Sequence, residues 1–299
     1  MSKTITIIGA GSTTGLALVP ILLQETSATL HLVTRSKVNI EHSRIVASHV
    51  NVTSLSELKS TILGQLPSVI VNLVATSSVD ACEADKETAQ VLNVTLVKDL
   101  VRLARATDAH LVHLSTDYIF NGERGPYAEN DTPAPINYYG KTKLSGENAV
   151  ITSGISSTII RTNVVYSPFP SRPDFVHSVL KSAETNSPVR AASDLYGNPT
   201  YVDDLAEAIV RVIETAAQGI YHVGGSDYVS RYQFATKIAE VFKLDTSLIH
   251  AVQAADLQLP AKRPLRAGLS TSTTEAVLGL RFRGIESGLI CLRNSLFSK

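Results

Sequence analysis

Short apolar runs alternate with longer stretches of helical periodicity through the first two thirds of the chain. Ile5-Thr6-Ile7-Ile8 reads as a buried strand running into the turn Gly9-Ala10-Gly11, and the apolar stretch 16–23 as the helix that follows. The pattern continues with strands at 29–34 and 67–72, helical periodicity over 84–106 and a strand at 110–116. A Ser/Gly turn within 150–160 leads into another strand, then come helices near 175–184 and 202–217 and a strand at 220–223. Such βαβα order predicts an α/β fold, a doubly wound parallel sheet with ligand at the strand C-terminal ends. Pro20 falls inside the first helix, where it removes a hydrogen bond and predicts a kink or local adjustment. The proline-rich stretches 131–135 and 167–173 read as loops bordering a cleft. No internal repeat or low-complexity segment is visible.

Composition removes several classes of function. A chain of 299 residues, 44% apolar, can bury a large core. Its 27 Lys+Arg balance 27 Asp+Glu, so no global field gathers nucleic acid or anionic lipid, and no basic run supplies a local one. Residues 16–23 have the length of a signal-peptide core, but only Lys3 precedes them and no small-x-small site follows. No segment approaches eighteen uninterrupted apolar residues, so no membrane span and a cytoplasmic location are expected. Two distant cysteines, Cys82 and Cys291, make neither a disulfide framework nor a metal cage, so no metal site is expected, and three Asn-x-Ser/Thr matches are chance. There is no tryptophan.

Candidate chemistry starts at the first turn. Gly9-x-Gly11-x-x-x-Gly15 departs from G-x-G-x-x-G because Thr14 stands where the last glycine would be. Gly9, Gly11, Ser12, Thr13, Thr14 and Gly15 nonetheless form a loop whose backbone can approach a dinucleotide pyrophosphate at a helix N-terminus; the bland reading is a glycine turn between any strand and helix. After the second strand comes Thr34-Arg35-Ser36-Lys37, with no acid to hold a ribose 2′-hydroxyl. Arg35 there favours NADPH, with NADH the second candidate, unless Arg35 and Lys37 are ordinary solvated charges. Ser115 and Thr116 end the strand at 110–116, where a hydroxyl can bond a substrate carbonyl.

The strongest signal is Tyr138-Tyr139-Gly140-Lys141-Thr142-Lys143. On a helix Tyr139 and Lys143 share one face, whereas Tyr138 is five residues from Lys143. A phenol of ordinary pKa about 10 shuttles protons poorly at neutral pH. A nearby ammonium and the charge of an oxidised nicotinamide favour phenolate, letting Tyr139 protonate an alkoxide as hydride arrives while Thr116 holds the carbonyl oxygen and Lys143 grips the cofactor ribose.

With these residues the chain resembles the extended short-chain dehydrogenase/reductases, and among them the dTDP-4-dehydrorhamnose reductases, over nearly its whole length. Ser115-Thr-Asp-Tyr-Ile-Phe-Asn-Gly122 resembles that family's S-T-D-Y-V-F-D-G, and Pro135-Ile-Asn-Tyr-Tyr-Gly-Lys-Thr-Lys-Leu-Ser-Gly-Glu147 its P-L-N-x-Y-G-x-S-K-x-x-G-E. Val71–Ala75 with Val79-Asp80, and Gly197-Asn-Pro-Thr200, match two further segments. The resemblance implies that Thr116, Tyr139 and Lys143 carry catalysis and that Thr116 and Asp117 face the sugar. It also implies that Val74, Ala75 and Thr76 touch the cofactor and that Asn51-Val52 stands for an acidic-apolar pair near the adenine. The family's R-T-S-W-V-Y is here Arg161-Thr-Asn-Val-Val-Tyr166, so Asn163 and Val164 replace the serine and the tryptophan of the sugar wall, and the sugar is expected to differ. D-Q-x-G-x-P-T likewise becomes Asp194-Leu-Tyr-Gly-Asn-Pro-Thr200.

The resulting expectation is an NAD(P)-binding Rossmann domain over 1–165 with parts of 190–225, and a smaller C-terminal substrate-binding lobe from 166–189 and 226–299. The activity implied is NADPH-dependent reduction of the 4-keto group of a nucleotide-linked 4-keto-6-deoxysugar. Lys262, Arg263 and Arg266 are candidates for a pyrophosphate, and a homodimer is the family-based expectation for assembly. Two other readings stay open: an epimerase or dehydratase on the same fold, and a non-catalytic dinucleotide-binding subunit like the regulatory partner of methionine adenosyltransferase.

Overall fold

The computed structural model describes residues 3–35 and 40–297. Its centre is a seven-stranded sheet of β1 (Thr4–Ile8), β2 (Thr29–Thr34), β3 (Ile45–His49), β4 (Val69–Asn72), β5 (His110–Thr116), β6 (Ser157–Thr162) and β7 (Gly219–Val223). The strand order is β7-β6-β5-β4-β1-β2-β3, with every pairing parallel. Helix α1 (Thr13–Glu25) and helix α5 (Val202–Thr215) cover one face, burying Leu18, Leu22, Leu205 and Ile209. On the other face α2 (Leu55–Gln65) and α3 (Leu96–Thr107) bury Leu58, Ile62, Leu100 and Leu103. The sheet is therefore doubly wound, as expected, and β1 and β4 flank the point where the winding reverses.

A second core gathers Tyr166, Val176, Phe234, Ile238, Ile249 and Leu289 around the parallel pair Val189–Ala192 and Ile249–Val252. Residues 272–282 pack back on the sheet through Leu278 and Phe282. Helix α1 runs unbroken through Pro20, which lies on its exposed side. The helical stretch predicted at 84–106 is divided: a π-helical turn, Val91–Thr95, precedes α3.

The sheet interior carries polar cross-strand pairs. His31 lies between Thr6 Oγ1 (3.1 Å) and Ser48 Oγ (2.9 Å), joining β1, β2 and β3. His113 Nδ1 meets Asn72 Nδ2 at 3.1 Å, and His110 Nε2 meets Thr158 Oγ1 at 2.8 Å. Such bonds offset the cost of burying polar groups.

Candidate active site

The glycine turn shows why its motif is irregular. Gly9 has φ +86°, and a Cβ there would lie 2.8 Å from Val74 Cγ2. A Cβ on Gly15 would lie 2.4 Å from the Ala10 carbonyl oxygen, so Gly15, not residue 14, permits the close approach of helix and turn. Thr14 is buried, and Ser12 caps α1 by accepting from Gly15 N–H at 3.1 Å. The N–H groups of the first turn are thus turned toward the end of β1. Across the groove, Val74 N–H donates to Asn72 Oδ1 (3.1 Å) and Thr76 N–H to Asn93 Oδ1 (2.9 Å), while the Thr76 hydroxyl is buried with no bond in the protein. A glycine cradle opposite an unmatched hydroxyl fits a dinucleotide. Gly11 borders the turn half-buried, and Ala75 lies between Val74 and Thr76. Arg35 is exposed at the end of β2; Ser36 and Lys37 lie outside the described residues. Asn51 turns inward on its own loop, accepting from Thr53 N–H and Oγ1, and Val52 packs against the second face of the sheet.

Asn93 was not singled out by sequence reasoning. From the π-helical turn its amide also donates to Thr142 Oγ1 at 3.0 Å, linking the Thr76 segment to helix α4 (Tyr138–Ile151). A π turn has no sequence signature of its own, although such turns gather at functional sites.

Helix α4 starts at Asn137, whose Oδ1 accepts from Gly140 N–H (2.8 Å). A Cβ on Gly140 would fall 2.1 Å from the Tyr118 carbonyl oxygen and one on Gly146 2.6 Å from that of Asn93, so these two glycines let the helix lie against both segments. The close fit brings the Tyr139 phenol beside the Thr116 hydroxyl at the end of β5. Lys143 Nζ donates to the Leu114 carbonyl at 2.6 Å. The three residues predicted as catalytic therefore meet at one strand end. Burial pushes the Tyr139 phenol up, opposed by the Thr116 hydroxyl. The sequence expectation was the reverse; it counted a cofactor charge and overlooked desolvation, so the protein's own groups keep the phenol protonated. Burial lowers Lys143 from 10.5 to about 8, against the raising influence of Glu147 one turn on.

Glu147 accepts from Arg161 Nε and Nη2 (3.1 and 2.8 Å), both side chains fully buried. Arg161 Nη1 also donates to the Glu129 carbonyl (3.1 Å) and lies 3.3 Å from His222 Nε2. The pair anchors helix α4 to β6, which leads into Asn163 and Val164.

On that side, Asp117 is 2% exposed and accepts from Asn163 Nδ2 (3.0 Å), Gly268 N–H (3.2 Å) and Thr116 Oγ1 (3.2 Å). Burial raises its pKa, and the three donors counter that rise. Val164 has φ +44°, a left-handed conformation that costs a β-branched residue about 1–2 kcal/mol. Elsewhere glycine is less stable than alanine; here Val164→Gly is expected to exceed Val164→Ala by about 1 kcal/mol in urea unfolding. The usual order at this position would contradict the strain.

Arg190, Arg231 and Arg263 converge on a cavity of about 200 Å³ shared with Tyr118, Phe175 and Leu257. The Arg231 guanidinium stands 5.3 Å over the Phe175 ring. Asp80 holds Arg263 at 2.6 Å and accepts from Ala261 N–H at 3.0 Å. Of the three cations noted in sequence, only Arg263 lines this cavity. Lys262 borders a wider depression with Asn121 and Glu123, and the Arg266 backbone bonds Gly122. Arg190 and Arg231 escaped notice because nothing in their local sequence marks them.

Comparison with known proteins agrees with this geometry. The family model described as RmlD substrate binding domain matches residues 3–294. The chain is 32% identical to a dTDP-4-dehydrorhamnose reductase of Sinorhizobium fredii over 84% of this chain and 88% of that protein. It is 32% identical to methionine adenosyltransferase 2 subunit beta of Pongo abelii over 71% of this chain and 65% of that one. A solved dTDP-4-dehydrorhamnose reductase of Bacillus anthracis in complex with NADP superposes with TM-score 0.85 at 26% identity, covering 99% of this chain and 100% of that one. With a matching model over almost all its length and the motif residues gathered at one strand end, this chain belongs to the RmlD substrate-binding-domain family of dTDP-4-dehydrorhamnose reductase-like proteins.

Proposed function

We propose that the protein is an NADPH-dependent oxidoreductase that reduces the 4-keto group of a nucleotide-linked 4-keto-6-deoxysugar. The observation that carries this reading is the meeting of Thr116 and Tyr139 at the end of β5, with Lys143 one helical turn away and bonded to the Leu114 carbonyl. Relatives named as dTDP-4-dehydrorhamnose reductases, one of them in complex with NADP, support the same chemistry. Gly9, Gly11, Ser12, Thr13, Thr14 and Gly15 hold the pyrophosphate, Val74 to Thr76 lie along the cofactor, Asn51 and Val52 border the adenine, and Arg35 meets the 2′-phosphate. NADPH, when bound, supplies the hydride. Tyr139 gives its proton to the oxygen at C4, Thr116 bonds that oxygen and holds it in line, and the Lys143 ammonium stabilises the phenolate left behind.

The second core, drawn from 166–189 and 226–297 apart from 272–282, forms the substrate side, where Arg190, Arg231 and Arg263 meet the sugar nucleotide's pyrophosphate. Asn163 and Val164 border the sugar. Asp117, committed to three donors, positions Thr116 and Asn163. A cytoplasmic location belongs to the same proposal, supported by the unpaired thiols of Cys82 and Cys291. Among the described residues no helix is long and apolar enough to cross a membrane.

The test is to incubate the protein with NADPH and a panel of 4-keto-deoxysugar nucleotides while following the absorbance of reduced nicotinamide. Steady NADPH consumption with at least one panel member is expected. Sugar conversion with no net consumption would make the protein an epimerase. Tight cofactor binding without conversion across the panel would leave the regulatory-subunit reading.

A further inference from the structure

Outside the strand ends, the loop Ser167–Pro173 crosses from one bank of the cofactor groove to the other. On the first bank Ser171 N–H donates to Thr13 Oγ1 at 3.0 Å, and the Ser171 and Thr13 hydroxyls lie 3.1 Å apart. Thr13 is the first residue of α1. On the second bank Arg172 Nη2 donates to Ser77 Oγ at 2.7 Å, one residue beyond Thr76. β1 and β4 are neighbours at the reversal of the winding, so the loop bridges the crevice where doubly wound sheets take ligand.

The bridge is unevenly matched. Arg172 is exposed, and its bond to Ser77 gives a charged, five-donor guanidinium only a neutral hydroxyl. A guanidinium's stronger partners are carboxylates and phosphates. Pro168, Pro170 and Pro173 fix φ at three of the seven positions, so the loop has few backbone conformations open to it. Its base is tied by Ser167 N–H to Asp174 Oδ2 at 3.0 Å, and Asp174 caps the helix Phe175–Glu184 of the second core.

We propose that Ser167–Pro173 is a strap over the cofactor's pyrophosphate, with Arg172 as the side chain that pairs with it, so that opening of the strap governs cofactor release. The inference rests on the dinucleotide reading above. The pyrophosphate is the phosphate concerned, because the strap's contacts lie at the first turn of α1 and after β4. Arg35, at the end of β2, stands on the far side of β1 and serves the 2′-phosphate.

The test uses the full chain and the fluorescence of reduced nicotinamide. Arg172→Ala is expected to raise the Kd of NADPH and of NADH alike by about tenfold at low salt and to speed dissociation in stopped-flow displacement, with the loss shrinking as salt rises. Arg172→Lys, which keeps the charge, should retain most of the affinity, and Arg35→Ala should weaken NADPH alone. Three results overturn the strap: Kd values for Arg172→Ala within about twofold of the parent for both cofactors, a loss confined to NADPH, or a loss seen only in the KM of the nucleotide sugar. If the parent protein binds neither NADPH nor NADH, the dinucleotide reading falls together with the strap. A parent that binds both with an Arg172→Ala that binds equally well overturns the strap alone.

Discussion

Tyr139→Phe is expected to lower kcat by about 10²- to 10⁴-fold, the usual contribution of a positioned general acid, while the Kd of NADPH changes far less. The phenol carries an acidic proton beside the Thr116 hydroxyl, and phenylalanine keeps the ring that meets Tyr118 edge-on at 6.0 Å while removing that proton. A variant retaining more than about a tenth of the parent kcat would remove Tyr139 from the chemistry. Lys143 adds a signature in pH. Its ammonium titrates at about 8, so reduction should decline above about pH 8 as the charge beside the phenolate is lost. Stability runs the other way. Because the folded pKa lies below the ordinary 10.5, the unfolded chain binds more protons between about 8 and 10.5, and this residue's contribution to stability rises with pH across that window. Activity falling while the urea midpoint holds or rises would separate the catalytic titration from unfolding.

The second large effect is acid unfolding set by histidines in the sheet. His31, His110, His113 and His222 are all buried, and burial lowers the pKa of each, to about 4 for His31 and about 3 for His222. They fold neutral, with partners that suit the neutral ring: His31 between two hydroxyls, and His222 with Nδ1 3.1 Å from the Tyr127 carbonyl and Nε2 facing Arg161. The unfolded chain protonates them below about 6.5, so the stability they lend is whole above that pH and is lost as pH falls toward the folded pKa values. At pH 5 His31 and His222 each remove about 2 kcal/mol, a large share of the ~5–15 kcal/mol that holds a typical domain. The urea midpoint is therefore expected to drop steeply between pH 6.5 and 4, and to drop less in His31→Gln. An equal midpoint at pH 7.5 and pH 5 would refute the account.

How much of this was legible beforehand depends on the range of the interaction concerned. The strands at 29–34 and 110–116 and the helix at 175–184 were read close to their observed bounds, because each carries its own apolar run and turn residues. The edge strand Ile45–His49 was missed: only one side has a partner, and its side chains are half-buried or exposed, so no alternation marks it. Gly15 was visible as an irregularity in a motif, but its purpose appears only once α1 is seated on Ala10. Gly140 and Gly146 are the same case, weak helix formers whose missing Cβ atoms allow two backbone segments to approach.

From sequence alone came the order of strands and helices, the family, and the Thr116, Tyr139 and Lys143 set, since periodicity and i,i+4 spacing are local and survive in a string of letters. Tertiary structure alone decided the direction in which the Tyr139 and Lys143 pKa values move, the commitment of Asp117 to Asn163 and Gly268, the left-handed turn at Val164, the arginine cluster and the bond that joins Arg172 to Ser77. Each of these depends on burial or on partners distant in sequence, and desolvation acts only after the chain has folded. The missing tryptophan is the meeting point of the two. The sequence shows that position 164 holds valine, and the fold shows that this valine stands beside Asn163 and Gly197 in a strained turn.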